Sequence, residues 1–374
     1  MHRPPSPLPS LALTTALLAW GLAPPALAPG WTWRARESAR SDLRNAADTE
    51  RMERGYYEPL ADLGRRLDRV DGPRAEPQPD FGPLTLPVAD VREYVLKPGV
   101  RGSHRGSSWS TNARGMRDRD HALNKPTSTY RIALVGDSIG AGWGVDDAFG
   151  FEPLCETRLD ARSRASGGPA VEVLNHAVPG LAPGQRWEHF GREGWAEGPD
   201  LVVFEGTPAD FGWDDRKLRS LLPRGIGWDA PAYRGALLAS GARPGGDEED
   251  YKRVLKPHRD AILLGVYRAV VTDCRSRGVL AAWLLLPRVG KPAPPADRDR
   301  LAGLARSAGF DRLVDLTGAF DGLQPRALAI GPDDFHPNAA GHALLAARLE
   351  RALAPLLDLD HPPTPSTHPE GDRR

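Results

Sequence analysis

The sequence predicts an α/β fold, and three observations carry that reading. Five short apolar runs, at about 131–135, 171–175, 200–205, 279–286 and 312–316, have the length and character of buried strands. Stretches long enough for helices lie between them, at about 148–163, 184–196, 250–277 and 297–308, and a helix-forming run extends from Ala339 to Leu357. That alternation belongs to proteins built on a parallel sheet. Third, Ile132-Ala133-Leu134-Val135 runs straight into Gly136-Asp137-Ser138-Ile139, with Gly140, Gly142 and Gly144 close behind. This is a strand entering a tight turn. In open α/β sheets chemistry sits beyond the carboxyl ends of the strands, and Ser138 stands there. Taken alone, Gly-Asp-Ser is also ordinary turn chemistry.

Two later stretches add weight. Val171 to Gly180 contains a second strand ending in Asn175-His176-Ala177-Val178-Pro179-Gly180. Asp333-Asp334-Phe335-His336-Pro337-Asn338 then leads directly into the last helical run. An Asp and a His three residues apart, just before a helix, can supply a base and its orienting carboxylate to a distant Ser. Asp334 stands beside Asp333 as a second acceptor.

These blocks resemble the SGNH, or GDSL-type, hydrolase family over roughly residues 105–355. The resemblance implies a flavodoxin-like, three-layer α/β/α fold with a five-stranded parallel sheet in the order 2-1-3-4-5. It also implies that Ser138 is the nucleophile, His336 the base and Asp333 the residue that orients it. The N–H groups of Ser138 and Gly180 would form part of an oxyanion hole. One block departs from the family pattern. Where the family has Gly-x-Asn-Asp, with the Asn side chain donating to the oxyanion, this chain has Gly206-Thr207-Pro208-Ala209-Asp210. Proline offers neither a side-chain donor nor an N–H. The Thr207 hydroxyl is the candidate substitute.

The 374 residues suffice for one large domain with extensions. With 49 basic and 49 acidic residues, the chain has no charge signature for nucleic acid. No His or Cys spacing suits a zinc site, and Gly140-Ala141-Gly142 lacks the third glycine of a dinucleotide loop. The reading is an enzyme without metal or cofactor. In the topology that the resemblance implies, right-handed crossovers put Cys155 and Cys274 on opposite faces of the sheet, as two unpaired thiols.

At the N-terminus, the apolar run Leu11 to Ala28 is broken by Pro24-Pro25, which suits a signal peptide or anchor over residues 1–28. Ala26-Leu27-Ala28 resembles a cleavage site, although Pro29 fits it poorly. Arg3 precedes the run while Arg34, Arg36, Arg40 and Arg44 follow it, which under the positive-inside rule argues against export. The reading is nevertheless an exported or membrane-anchored protein, because so apolar a leader has little other use. Residues 31–70 read as a charged helical extension, which offers either a membrane contact or packing on the domain, and 71–104 as linker and lead-in. The hydrolase domain is placed at 105–357 and a disordered tail at 358–374.

Within the domain, Asn112, Gly115 and Arg117 form an Asn-x-x-Gly-x-Arg stretch that often precedes the nucleophile block in bacterial relatives. Its expected place is the mouth of the site, with a structural ion pair for Arg117 as the alternative. The insertion at 207–247 carries Phe211, Trp213, Trp228 and Tyr233, rings that either shape a substrate site or anchor the loop. His176, in the second block, is a candidate substrate contact. The functional reading is a serine ester hydrolase working through an acyl-enzyme on O-acetyl or other O-acyl esters of carbohydrates, or on short acyl esters. An O-acyltransferase with the same triad and a non-catalytic carbohydrate-binding module are the alternatives.

Overall fold

The computed structural model describes residues 81–357. The leader, the charged extension, the first part of the linker and the C-terminal tail lie outside the described residues. Among those residues no helix is long and apolar enough to cross a membrane.

Two antiparallel hairpins open the described chain: β1 (Thr85–Pro87) with β2 (Tyr94–Leu96), and β3 (Arg101–His104) with β4 (Ser107–Ser110). The second turns on Arg105 and Gly106, with φ of 52° and 81°. Two consecutive left-handed residues match the twist of the flanking strands. The domain boundary read from the sequence at 105 falls on this turn and would cut the hairpin in two. Residues 101–104, read as lead-in, pair with Ser107–Ser110 in one hairpin.

The alternation of strand and helix then follows: β5 (Thr129–Val135), α1 (Phe151–Ala165), β6 (Ala170–Asn175), α2 (Pro183–Glu193) and β7 (Leu201–Gly206). The insertion forms α3 (Trp213–Leu221), α4 (Pro231–Ser240) and α5 (Glu248–Leu255). The chain closes with α6 (Arg259–Ser276), β8 (Leu280–Leu285), α7 (Pro295–Ala308), β9 (Arg312–Asp315) and α8 (Ala339–Leu353). Five parallel strands pair in the order β6-β5-β7-β8-β9, which is 2-1-3-4-5 counted within the sheet. The fold class read from the sequence is the one observed.

Side chains alternate across this sheet, so each strand feeds two cores. Ile132, Leu134, Val203 and Leu284 face one side, where they meet Phe151, Leu159, Leu345 and Leu349 from α1 and α8. Ala133, Val135, Phe204 and Trp283 face the other, against Trp187, Phe190, Val266 and Val270 from α2 and α6. Cys155 belongs to the first core and Cys274 to the second, and both are free.

The single crossover helix expected over about 250–277 is two helices, because Pro257 cannot continue the hydrogen-bond ladder and a 3₁₀ turn at Lys256–His258 separates α5 from α6. The insertion rings anchor rather than line. Tyr233 is buried in the second core, against which Phe211 and Trp228 pack, and Trp213 is buried with its ring 5.1 Å from the Arg186 guanidinium.

The sheet order reverses around β5, so β5 and β7 flank the switch point where chemistry collects in such folds. The turn after β5 is braced by residues that precede that strand. Arg117, 6% exposed, donates to the carbonyls of Ser108, Ala141, Gly142 and Val145 and pairs with Asp147 at 3.0 Å. It is the structural ion pair of the two readings. Tyr94 reaches from β2 to the Pro179 carbonyl at 2.7 Å, and Ser107 from β4 to that of Gly144 at 3.0 Å.

Candidate active site

Ser138 follows β5 by three residues, in the turn that Arg117 braces. His336 lies just before α8, whose N-cap Asn338 accepts from Gly341 N at 3.1 Å. The fold brings these two side chains together across 198 positions of sequence, with Ser138 Oγ 2.9 Å from His336 Nε2. Each residue is only 1% exposed.

The third member is not the residue expected. Asp333 is exposed. Asp334 Oδ1 accepts from His336 Nδ1 at 2.6 Å and from the His336 N–H at 2.9 Å. An Asp readily accepts from the backbone two residues on, and that local turn selects Asp334 over its neighbour. With Nδ1–H held there, Nε2 is left to accept the Ser138 hydroxyl proton. Arg105, on the hairpin turn, stands 3.6 Å from the other oxygen of Asp334.

Burial lowers the pKa of His336, opposed by the hydrogen bond and charge of Asp334. Burial pushes the Asp334 carboxyl up, but the bonds and charge of His336, with Arg105 beyond, hold it below its ordinary value. The pair is set for a neutral imidazole beside a carboxylate, the resting state a general base requires.

The oxyanion donors read from the sequence are placed differently from one another. Among the described residues the Ser138 N–H has no protein acceptor. The Gly180 N–H is engaged, donating to Asp137 Oδ1 at 2.6 Å. Thr207 is turned away from the role considered for it. Its hydroxyl donates to Asp210 Oδ1 at 3.2 Å, and its N–H to the other oxygen at 3.1 Å. Thr207 therefore caps the short turn at Pro208–Asp210, and its hydroxyl is committed to structure.

His176 is likewise structural: its Nε2 lies 2.6 Å from Glu197 Oε2, and its ring meets Phe190 edge-on. Behind the nucleophile turn lies a buried charge network that sequence reasoning missed. Arg186, from α2, stands 3.3 Å from Asp210 and 3.7 Å from Asp137, and donates to the Leu181 and Glu205 carbonyls. Glu205, the last side chain of β7 before Gly206, reaches up beneath the turn. Glu205 closes an apolar run and Arg186 stands among other polar residues, and nothing in their local pattern marked them out.

A sequence model of the GDSL-like lipase/acylhydrolase family matches residues 134–344, more than half of the chain. No curated protein matches the chain. Among solved structures, that of TesA is 20% identical over 61% of this chain and 99% of its own, with a TM-score of 0.40. A lipase/acylhydrolase from Enterococcus faecalis is 18% identical, over 61% of this chain and 96% of its own, with a TM-score of 0.38. A mutant of Axe2, an acetyl-xylooligosaccharide esterase from Geobacillus Stearmophilus, is 19% identical, over 60% and 94%, with a TM-score of 0.38. The family match spans the Gly136-Asp137-Ser138 turn and the Asp334–His336 pair alike, and the chain belongs to the GDSL-like lipase/acylhydrolase family of ester-hydrolysing enzymes.

Proposed function

We propose that the protein is a serine ester hydrolase acting through an acyl-enzyme, with Ser138 as nucleophile, His336 as base and Asp334 as the carboxylate that orients it. The observation that carries this reading is the continuous chain Ser138 Oγ–His336–Asp334, with contacts of 2.9 and 2.6 Å. As Oγ attacks the ester carbonyl, its proton passes to Nε2, and the Asp334 carboxylate stabilises the imidazolium that forms. His336 then returns the proton to the leaving alcohol. Water, deprotonated by the same nitrogen, attacks the acyl-enzyme; the bond from Ser138 Oγ to the acyl carbon breaks, His336 returns the proton to Oγ, and the acid leaves. The Ser138 N–H lies beside the carbonyl under attack and supplies one oxyanion donor.

The proposed substrate class is small O-acyl esters, with acetyl groups on carbohydrates foremost. The depth of Ser138, at 1% exposure, supports a small acyl group over a long chain. The test is a panel of acetylated sugars and p-nitrophenyl esters, with fluorophosphonate labelling run alongside. Wild type is expected to release free acetate and to be labelled at Ser138, and Ser138→Ala to do neither. Labelling that persists unchanged in Ser138→Ala would remove the nucleophile assignment, and acetyl transfer to an added sugar in place of free acetate would make the enzyme a transferase.

A further inference from the structure

The turn that carries Ser138 is wrapped around a single oxygen atom. Glu205 Oε2 accepts the N–H of Asp137 at 2.9 Å and that of Gly140 at 3.1 Å. A Cβ at Gly136 would come within 2.2 Å of this oxygen, and one at Gly140 within 2.4 Å. Neither glycine has a positive φ. Their role here is therefore close approach: the backbone folds down onto the carboxyl group, and any side chain would hold it off. Glu205 is 0% exposed and sits one residue from the end of β7, which neighbours β5 in the sheet, so its own position is rigid.

We propose that Glu205 is a positioning residue for the reaction: by gathering the N–H groups on both sides of Ser138 onto one oxygen, it fixes the turn that aims Oγ at His336. The inference rests on the assignment of Ser138 as nucleophile. Without this acceptor, two buried N–H groups would lose their partner and the turn would open, since such groups are costly to leave unpaired.

The charge state of the group matters as well. Burial pushes the Glu205 carboxyl up, with Arg186 from α2 opposing and Asp137 in the turn and Asp210 beyond β7 adding to the rise, to about 8. Because Oε2 takes both N–H groups, the proton belongs on Oε1, which meets no partner among the described residues. Below that pH the turn rests on a neutral acceptor. Above it, a negative charge appears one peptide unit from the Ser138 N–H, where it opposes the developing oxyanion in a dry site.

The experiment compares wild type, Glu205→Gln, Glu205→Leu and Ser138→Ala, with kcat and KM measured as a function of pH. Glutamine keeps an acceptor oxygen and does not titrate, so it should hold kcat within about threefold at neutral pH and lack the alkaline decline of wild type. Leucine removes the acceptor and should lower kcat about a hundredfold with KM little changed, fluorophosphonate labelling slowing in parallel. Full activity in Glu205→Leu would overturn the proposal. So would a Glu205→Gln variant as impaired as Glu205→Leu, or one that retains the alkaline decline. Should the leucine variant fail to fold by circular dichroism, the glutamine pH profile decides alone. Turnover retained in Ser138→Ala would instead strike the nucleophile assignment itself, whatever the Glu205 variants do.

Discussion

Two adjacent carboxylates compete for the role of orienting His336, and the structure assigns them opposite fates on mutation. Asp334→Ala removes one oxygen that serves both His336 Nδ1 at 2.6 Å and the His336 N–H at 2.9 Å. The first loss is a charge-assisted hydrogen bond to the imidazolium, worth about 1.5–3 kcal/mol. In rate that is about 10- to 150-fold. The second loss is the restraint on tautomer and ring orientation, after which Nε2 is no longer reliably the accepting nitrogen. Together they predict a fall in kcat of about 10²- to 10³-fold with KM little changed. Asp333 is exposed, and Asp333→Ala should stay within about twofold of wild type. The pH profile carries its own sign. Turnover needs neutral His336, so it is lost as pH falls through the His336 pKa, which burial holds below its ordinary value. Asp334 opposes that lowering, so its removal should move the acid limb to still lower pH even as kcat drops. Steady-state rates on a p-nitrophenyl ester across about pH 4–9, with circular dichroism to check folding, test the pair. Equal losses in both variants, or a loss under about threefold in Asp334→Ala, would refute the reasoning.

Thr207→Val should leave kcat unchanged and cost about 1 kcal/mol in urea unfolding, because the hydroxyl serves Asp210 and not the substrate. A drop in kcat with unchanged stability would return Thr207 to the oxyanion hole. Arg117→Met leaves the buried carbonyls of Ala141 and Val145 without their donor, while Asp147 keeps Ser110, and should cost about 2–3 kcal/mol by the same measurement. His342 is fully buried and its Nδ1 accepts from Phe151 N at 3.1 Å, with burial lowering its pKa to about 3. The unfolded chain binds this proton below about 6.5 while the native state does not, so stability falls as pH drops through that window, by about 2–3 kcal/mol at about pH 4.5. His342→Asn keeps the acceptor without the titration, and its Tm should fall less than that of wild type between neutral pH and about pH 4.5.

The sheet was legible because each strand is a compact apolar run whose alternate residues feed two cores, and such runs survive in a sequence rich in glycine and proline. Ser138 and His336 were legible because their flanking blocks resemble a known family. The orienting carboxylate was not. Asp333 and Asp334 differ by one position, and only the turn through Phe335 decides which of them meets the imidazole. The insertion misled for a different reason. Trp213 and Tyr233 read equally well as binding surface or as anchor, and helix formation by α3 and α4, which turns them inward, cannot be judged from aromatic content. Glu205 was hidden by its setting in a buried strand, where an isolated carboxylate gives no pattern. Gly136 and Gly140 were read as turn formers, although the structure uses both for proximity.

Cys155 and Cys274 give the molecule one native reporter in each of its two cores. Burial pushes both thiols upward, that of Cys274 to about 12, so neither reacts while its layer stays closed. Modification by a water-soluble disulfide reagent must wait for that layer to open, and its rate then measures the opening equilibrium. A single pulse-labelling series on the unmutated protein can thus ask whether the α1–α8 side and the α2–α6 side come apart as one cooperative unit or in sequence.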